Sequence, residues 1–289
     1  MPELPEVETV ARTLRRTLVG RRVEKVVRAS PLMIERRSVR RLVGQRIDVV
    51  DRQGKWMFLR TEGNDVLVVH LGMTGWVGVV PKETEVVPHT HLRARLDEEG
   101  QELRFVDPRR FGEWTVMSQP AWEGRFGPKN LGPDALTCSP DELQARLKKT
   151  TRRIKPTLMD QRVVAGVGNI YADEILYQAR LAPMRPAHSL KRDDVERLHA
   201  AMVGVLAASI RDGGTTIQSF IGSDGREGGF QERLLVYGRA GRACLVCESL
   251  IQCSPAVVAG RSTYWCPGCQ PAKGRRLGRP KARHVVSHD

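Results

Sequence analysis

Met1-Pro2-Glu3-Leu4-Pro5-Glu6-Val7-Glu8-Thr9-Val10-Ala11 opens the chain, and the rest is organised around this stretch. After Pro5, the residues Val7, Val10, Ala11, Leu14 and Leu18 recur at helical spacing as far as Gly20, a glycine stop. One amphipathic helix therefore ties the N-terminus to a core and fixes where Pro2 points. Removal of Met1, which a small second residue permits, leaves the α-amine on Pro2. Such an amine titrates near ~8 rather than the ~10.4 of lysine, so roughly a tenth is neutral and nucleophilic at neutral pH. A proline nitrogen that attacks an aldehydic carbon gives an iminium with no N–H proton to lose. That adduct is an electron sink suited to eliminating groups β and δ to the carbon, with Glu3 as the adjacent proton shuttle. The plainer reading is that proline and glutamate merely open a helix, since both are ordinary start signals.

Downstream lie eight short β-rich runs: Val23–Val27, Ile47–Asp51, Trp56–Arg60, Val66–Leu71, Val77–Val80, Leu92–Leu96, Leu103–Val106 and Glu113–Met117. Separated by Gly, Pro and polar turns, they predict an antiparallel sandwich or barrel. The composition changes at Gly127-Pro128-Lys129-Asn130-Leu131-Gly132-Pro133, an interdomain linker. Ser139-Pro140 then reads as an N-cap with proline at the first helical position. The residues Val195, Leu198, Met202, Val205, Leu206 and Ile210 form a strong amphipathic helix that ends at Gly213-Gly214. Gly166-Val167-Gly168-Asn169 precedes another helix, where bare backbone N–H groups and the helix dipole suit a phosphate and Asn169 could cap the helix or bind the anion. The class is α+β with more than one domain.

Lysine and arginine outnumber acids 47 to 33, a net charge of +14 with a pI near 10.0, which favours a polyanionic partner such as nucleic acid. The segment after Cys269 supplies +5 of this, leaving +9 on the rest. No stretch is long and apolar enough to span a bilayer, and the acidic start is unlike a secretory signal, so a cytoplasmic location is expected. Cys244-x-x-Cys247 and Cys266-x-x-Cys269, 18 residues apart, match a four-thiolate zinc pattern. Four such ligands leave no open position, so the expected Zn²⁺, one per chain, is structural. Cys138 and Cys253 fall outside the pattern. With four thiolates and one Zn²⁺ counted, the charge becomes +12 and the nucleic-acid argument stands.

Taken together, these pieces resemble the bacterial formamidopyrimidine-DNA glycosylase family, from Pro2 to about Gln270. The likeness is carried by Pro2 to Thr9, Gly54-Lys55, His70-Leu71-Gly72-Met73-Thr74-Gly75 and Asp107-Pro108-Arg109-Arg110-Phe111-Gly112. It continues through Ile154-Lys155-Pro156, Val164 to Ala172, Gly213-Gly214-Thr215-Thr216, Val236-Tyr237-Gly238-Arg239 and the cysteine segment with Arg261. The resemblance implies an N-terminal β-sandwich with its first helix (1–127), a linker (128–133), a helix-two-turns-helix domain (134–235), a zinc finger (236–272) and a basic tail (273–289). It further implies a monomeric repair enzyme that removes 8-oxoguanine and formamidopyrimidines from duplex DNA, acts on abasic sites, and cuts the strand by β,δ-elimination.

By the same resemblance Pro2 is the nucleophile, Glu3 the proton donor, and Lys55 touches the phosphate and gives a proton in the first elimination. Met73, Arg109 and Phe111 fill the hole left by the extruded nucleotide, a step that costs a few kcal/mol of stacking. His70, Lys155, Asn169 and Arg261 hold the phosphates around the flipped nucleotide, and His89 matches another DNA contact. Ser223-Asp224-Gly225-Arg226-Glu227-Gly228-Gly229-Phe230 resembles the loop that covers the oxidised base. Three features depart from the pattern: Thr150 and Thr151 stand where a basic residue is common, Trp76 is bulky, and the tail is long. Two rivals are an endonuclease VIII-type enzyme for oxidised pyrimidines and a non-catalytic binder of damaged DNA. Leu4, the Arg109 and Phe111 pair and the glycine-rich loop weigh against the first; Pro2, Glu3 and Lys55 weigh against the second.

Overall fold

A computed structural model of the chain describes residues 1–97, 100–216, 220, 222–223, 225–258 and 260–272. The basic tail from Lys273 and residue Asp224 of the glycine-rich loop lie outside the described residues. The first helix, α1 (Leu4–Leu18), is followed by β1 (Val23–Ala29), the short α2 (Arg36–Arg40), β2 (Ile47–Gln53), β3 (Trp56–Thr61) and β4 (Asp65–His70). Next come β5 (Trp76–Pro81), β6 (Thr90–Leu96), β7 (Gln101–Val106) and β8 (Glu113–Ser118). Each expected strand is present to within two residues at either end. They form two antiparallel four-stranded sheets, ordered β1-β6-β7-β5 and β2-β3-β4-β8. A sandwich results because the strands' inward residues, among them Val50, Leu59, Leu67, Val69, Leu92, Leu103 and Phe105, bury against one another.

α1 belongs to two cores at once. Val7, Val10, Ala11, Leu14 and Leu18 are at most 1% exposed in the sandwich core, whereas Leu4 is buried in the core of the helical half. Burial on this scale contributes about 1.5–3 kcal/mol for each large side chain. The N-terminus is thereby held where the two halves meet.

The helical half contains α4 (Pro140–Leu147), α5 (Ile154–Met159), α6 (Asn169–Gln178) and α7 (Arg192–Arg211). Ser139 caps α4 as expected: its Oγ accepts from the Glu142 N–H at 3.2 Å while Glu142 accepts from the Ser139 N–H at 2.9 Å. A final hairpin of β9 (Gln252–Val258) and β10 (Arg261–Trp265) lies between the cysteine pairs.

Three helices, α2, α5 and a further one, α3 (Gln119–Phe126), were not legible. α3 carries no apolar stripe, and only Phe126 is buried. It is held instead by edge-on aromatic packing of Trp122 and Phe126 on Phe58, with ring centroids 5.3 and 5.0 Å apart. Leu131, inside the expected linker, packs into the same cluster with Val66, Val68 and Ala165. Covering the outer face of β3 and β4 in this way explains why β4 is apolar without alternation.

Candidate active site

The starts of α1 and α6 face each other across the junction of the two halves. Leu4 N–H donates to the Gly166 carbonyl at 3.1 Å, and the Glu3 carboxylate accepts from the backbone N–H groups of Gly168 and Ile170 at 2.6 and 2.9 Å. A β-carbon at Gly168 would lie 2.3 Å from the Glu3 carboxyl carbon, so the close approach requires glycine there. This corrects the expectation for the Gly166-Val167-Gly168-Asn169 motif. The positive end of α6 is taken by the protein's own carboxylate, and those two amides are not left for a phosphate. Nor does Asn169 cap the helix: Gly168 holds the cap position, and the Asn169 Oδ1 is buried without a hydrogen-bond partner.

Charged groups converge on the chain terminus. Burial lowers the pKa of the Met1 amine below its ordinary 8.0; Glu3 and Glu6 oppose the shift, and Lys55 and Arg261 add to it. Pro2 is buried beside it, and Met1, Pro2, Glu6, Met73, Thr74, Arg109, Thr215 and Tyr237 are among the residues lining a cavity of about 270 Å³. A larger concavity of about 610 Å³ runs along β1 and holds none of the expected site residues. Lys55 occupies the two-residue turn between β2 and β3, is 5% exposed, and has its pKa lowered by burial against the opposing pull of Glu3.

That turn is positioned by residues the sequence did not single out. The Gly54 N–H donates to Asp134 at 2.7 Å, and Asp134 also receives Arg52, which donates as well to Glu8 at 2.8 Å and to the Gly54 carbonyl at 3.1 Å. Arg52 is 6% exposed at its side chain, so the ion pairs act at low local dielectric and clamp α1, β2 and the start of the helical half together. Glu6 is a second omission. Its carboxylate accepts from the Glu3 N–H at 2.8 Å, the Thr215 N–H at 2.7 Å and the Tyr171 hydroxyl at 2.5 Å, and burial pushes its pKa up to about 7. The available signal was its place three residues after Glu3, the spacing of a capping box.

Met73, Arg109 and Phe111 come from two turns locked together. Gly72, at φ +60, has the Phe111 backbone so near that a β-carbon would sit 2.4 Å from its carbonyl carbon. Buried Asp107 accepts from the Thr74 hydroxyl at 2.6 Å and the Gly112 N–H at 2.7 Å, while the Arg109 N–H donates to Thr74. Phe111 is 58% exposed with the Arg109 guanidinium 4.9 Å over its ring, an apolar tip projecting from a rigid base. His89 is exposed beside them, and its carbonyl accepts from the Asp107 N–H. The His70 ring packs against Trp56 with centroids 4.5 Å apart and planes tilted by 47°, and burial followed by the Lys55 charge pushes its pKa down to about 4. Its Nδ1 accepts from the Gly72 N–H at 3.1 Å, so the neutral ring carries its proton on Nε2, a donor suited to an anion.

Lys155 is placed differently from expectation. It is 0% exposed, with its ammonium 2.8 Å from Asp173 and from the Ser262 carbonyl and 3.2 Å from the Thr263 hydroxyl. In this structure it braces β10 against α6, and removing it would leave Asp173 buried without its counter-charge at a cost of about 3–5 kcal/mol. Asp173 and Glu174 complete the brace: Asp173 accepts from Tyr264 N–H at 3.0 Å, and Glu174 accepts from the N–H groups of Leu235, Val236 and Tyr237 at 2.8–2.9 Å. Arg261, at the start of β10, is exposed. The bulk of Trp76 is accounted for by the glycine-rich loop, one end of which it pins to β5. Its indole N–H donates to the Gly222 carbonyl at 3.0 Å, and the adjacent Ser223 hydroxyl donates to the Val77 carbonyl at 2.6 Å.

The sulfurs of Cys244, Cys247, Cys266 and Cys269 all lie within 4.8 Å of one another, with two pairs at 3.8 and 3.3 Å. Sulfurs ~2.3 Å from a central Zn²⁺ stand ~3.8 Å apart, so the donor set and spacing fit that ion. Among the described residues, no helix is long and apolar enough to cross a membrane.

Comparison with known proteins agrees with this architecture. Residues 1–114 match the formamidopyrimidine-DNA glycosylase N-terminal domain, and residues 131–221 match the H2TH domain of the same enzymes. The formamidopyrimidine-DNA glycosylase of Thermus thermophilus is 44% identical over 93% of this chain and 98% of its own length; that of Bacillus cereus is 38% identical over 94% and 99%. Among solved structures, the MutM (Fpg) protein from Thermus thermophilus superposes with a TM-score of 0.81 at 42% identity, covering 93% of this chain and 98% of that one. Lactococcus lactis Fpg in complex with DNA containing an abasic site gives 0.84 at 32% identity, covering 93% and 100%. The same enzyme with Fapy-dG-containing DNA also gives 0.84 at 32%, with 93% and 100% covered.

Proposed function

The chain belongs to the formamidopyrimidine-DNA glycosylase family, and from that premise we propose that it excises formamidopyrimidines and 8-oxoguanine from duplex DNA and then cuts the strand at the resulting abasic site. The observation that carries the reading is the convergence of a chain-terminal amine with Glu3, Lys55 and Arg261. Once Met1 is removed, the Pro2 nitrogen uses its lone pair to attack C1′, and the bond from C1′ to the base breaks with both electrons leaving on the base. A proton is delivered there, and Glu3 is the carboxyl placed to relay it. The sugar ring opens to give an iminium. Loss of a C2′ proton then expels the 3′ phosphate, and a second elimination expels the 5′ phosphate, with Lys55 positioned to give a proton to the first leaving group. Hydrolysis of the remaining iminium frees the proline.

His70 donates through Nε2, and Asn169 and Arg261 supply further donors to the phosphates that flank the extruded nucleotide. Met73 and Phe111 occupy the vacated stack, Arg109 serves the orphaned base, and His89 contacts the duplex nearby. The catalytic sandwich (1–127) and the helix-two-turns-helix domain (134–235), joined by 128–133, form the DNA cleft, with the finger (236–272) reaching over it. The protein acts as a cytoplasmic monomer. Its lesion preference is tested by duplexes carrying either an oxidised purine or an oxidised pyrimidine, with base release and strand cuts scored separately. Greater release of the pyrimidine would favour the endonuclease VIII type, and binding without release of either would mark a non-catalytic binder.

Two further outcomes are expected. Phe111→Ala and Met73→Ala should slow excision from duplex lesions by raising the extrusion cost by up to a few kcal/mol, yet spare strand cutting at a pre-formed abasic site. Equal losses on both substrates would assign these side chains to the fold or the chemistry. The four cysteines hold one structural Zn²⁺, so Cys247→Ser should lose the metal and weaken DNA binding and cleavage while the sandwich stays folded. Metal analysis finding no zinc in active protein would overturn this.

A further inference from the structure

Tyr177 sits in the last turn of α6, 6% exposed, packed in one apolar cluster with Val236, Ile251 and three of the cysteines, Cys244, Cys266 and Cys269. Its hydroxyl oxygen is 3.2 Å from the Cys244 Sγ, a normal distance for a hydrogen bond to sulfur, and the Val246 N–H points at the same sulfur from 3.5 Å. A metal-bound thiolate has lone pairs and no proton, so the hydroxyl can only be the donor in the loaded protein. Resting on the reading that these cysteines hold Zn²⁺, we infer that Tyr177 donates a hydrogen bond to the Cys244 thiolate, retaining the metal and tying the finger to α6.

Two consequences follow from the chemistry of that bond. Donation draws electron density from the sulfur, so the thiolate is less readily protonated or alkylated and the metal is released more slowly. Hydrogen bonds from outside the ligand set to metal ligands are worth about 10–100-fold in metal affinity. The second consequence is mechanical. α6 spans about 15 Å, and its opposite end is the pair of amides that holds Glu3. Between these ends Asp173 and Glu174 fasten β10 and the segment entering the finger. The metal centre and the proton-relaying carboxylate are thus attached to the two ends of one short helix.

The experiment compares wild type with Tyr177→Phe, which keeps the ring and removes only the donor, and with Tyr264→Phe, whose ring lies against Tyr237 and which pairs with Cys253 across the hairpin, outside the ligand set. Zinc content, zinc transfer to a chromophoric chelator, alkylation of the cysteines by iodoacetamide, and the thiolate-to-cobalt charge-transfer band of Co²⁺-substituted protein are measured on the full chain, with circular dichroism to confirm the fold. Tyr177→Phe is expected to bind one zinc but transfer it about 10–100-fold faster, to alkylate faster, and to shift the cobalt band to longer wavelength, while Tyr264→Phe matches wild type. Wild type without zinc would overturn the metal reading and this inference with it. Full zinc in all three proteins with unchanged transfer rates and band position, or the same change in both variants, would overturn the inference alone.

Discussion

Borohydride treatment of the protein on a damaged duplex is expected to yield a covalent protein–DNA adduct that maps to Pro2, and acetylating the terminus or retaining Met1 should abolish it. An acetylated nitrogen has no free lone pair to attack with. Retained Met1 moves the terminal nitrogen one residue, about 3.8 Å, from where Pro2 would present it to Glu3 and Lys55. Reacting atoms must approach within about 3–3.5 Å, and even a 1 Å misplacement can cost about 10²-fold, so the loss should be at least of that order. Binding of damaged DNA should survive, since the expected phosphate donors His70, Asn169 and Arg261 are elsewhere. Only the neutral nitrogen can attack, so trapping should rise with pH as the Pro2 amine loses its proton and then level off. An adduct on Lys55, or full activity with an acetylated terminus, would overturn the proline mechanism.

What was legible in the sequence follows from range along the chain. α1 and α7 announce themselves because their apolar residues fall at helical spacing within one segment, and the eight strands because short β-rich runs and the turn residues between them are local as well. The four cysteines are legible because ligand spacing is a local constraint imposed by one ion. Pairings between distant segments leave no such trace. Asp134 reaches the Gly54 amide across 80 residues, and Glu3 reaches Gly168 across 165, so neither the anchor of the Lys55 turn nor the occupant of the α6 N-terminus can be read from pattern. Lys155 shows the converse limit. Its motif was visible, but its full burial against Asp173 depends on β10 folding over it, a contact that no local pattern announces.

Glu3→Gln tests the second of the two largest effects, and the structure says what the substitution would disturb. Both oxygens of the carboxylate are used, one by Gly168 N–H at 2.6 Å and the other by Ile170 N–H at 2.9 Å. A glutamine offers one carbonyl oxygen and one amino group, so one amide loses its acceptor and meets a donor instead, at a cost of about 1–3 kcal/mol. The contact has no room to relax, because Gly168 already approaches the carboxyl carbon as only a glycine can. Two losses are therefore expected, and they are separable. Stability should fall by that modest amount, readable by urea denaturation, while base release should fall about 10²–10⁴-fold because the group that relays the proton is gone. DNA binding should hold. Glu3→Asp sharpens the distinction, since a carboxylate one methylene shorter restores the titrating group without restoring its reach to both amides. If Glu3→Gln released base at the wild-type rate in spite of the stability loss, the carboxylate would be a helix-to-helix tether and the proton would have to come from another group beside the terminus, such as Glu6, the other carboxyl facing it from the cavity wall.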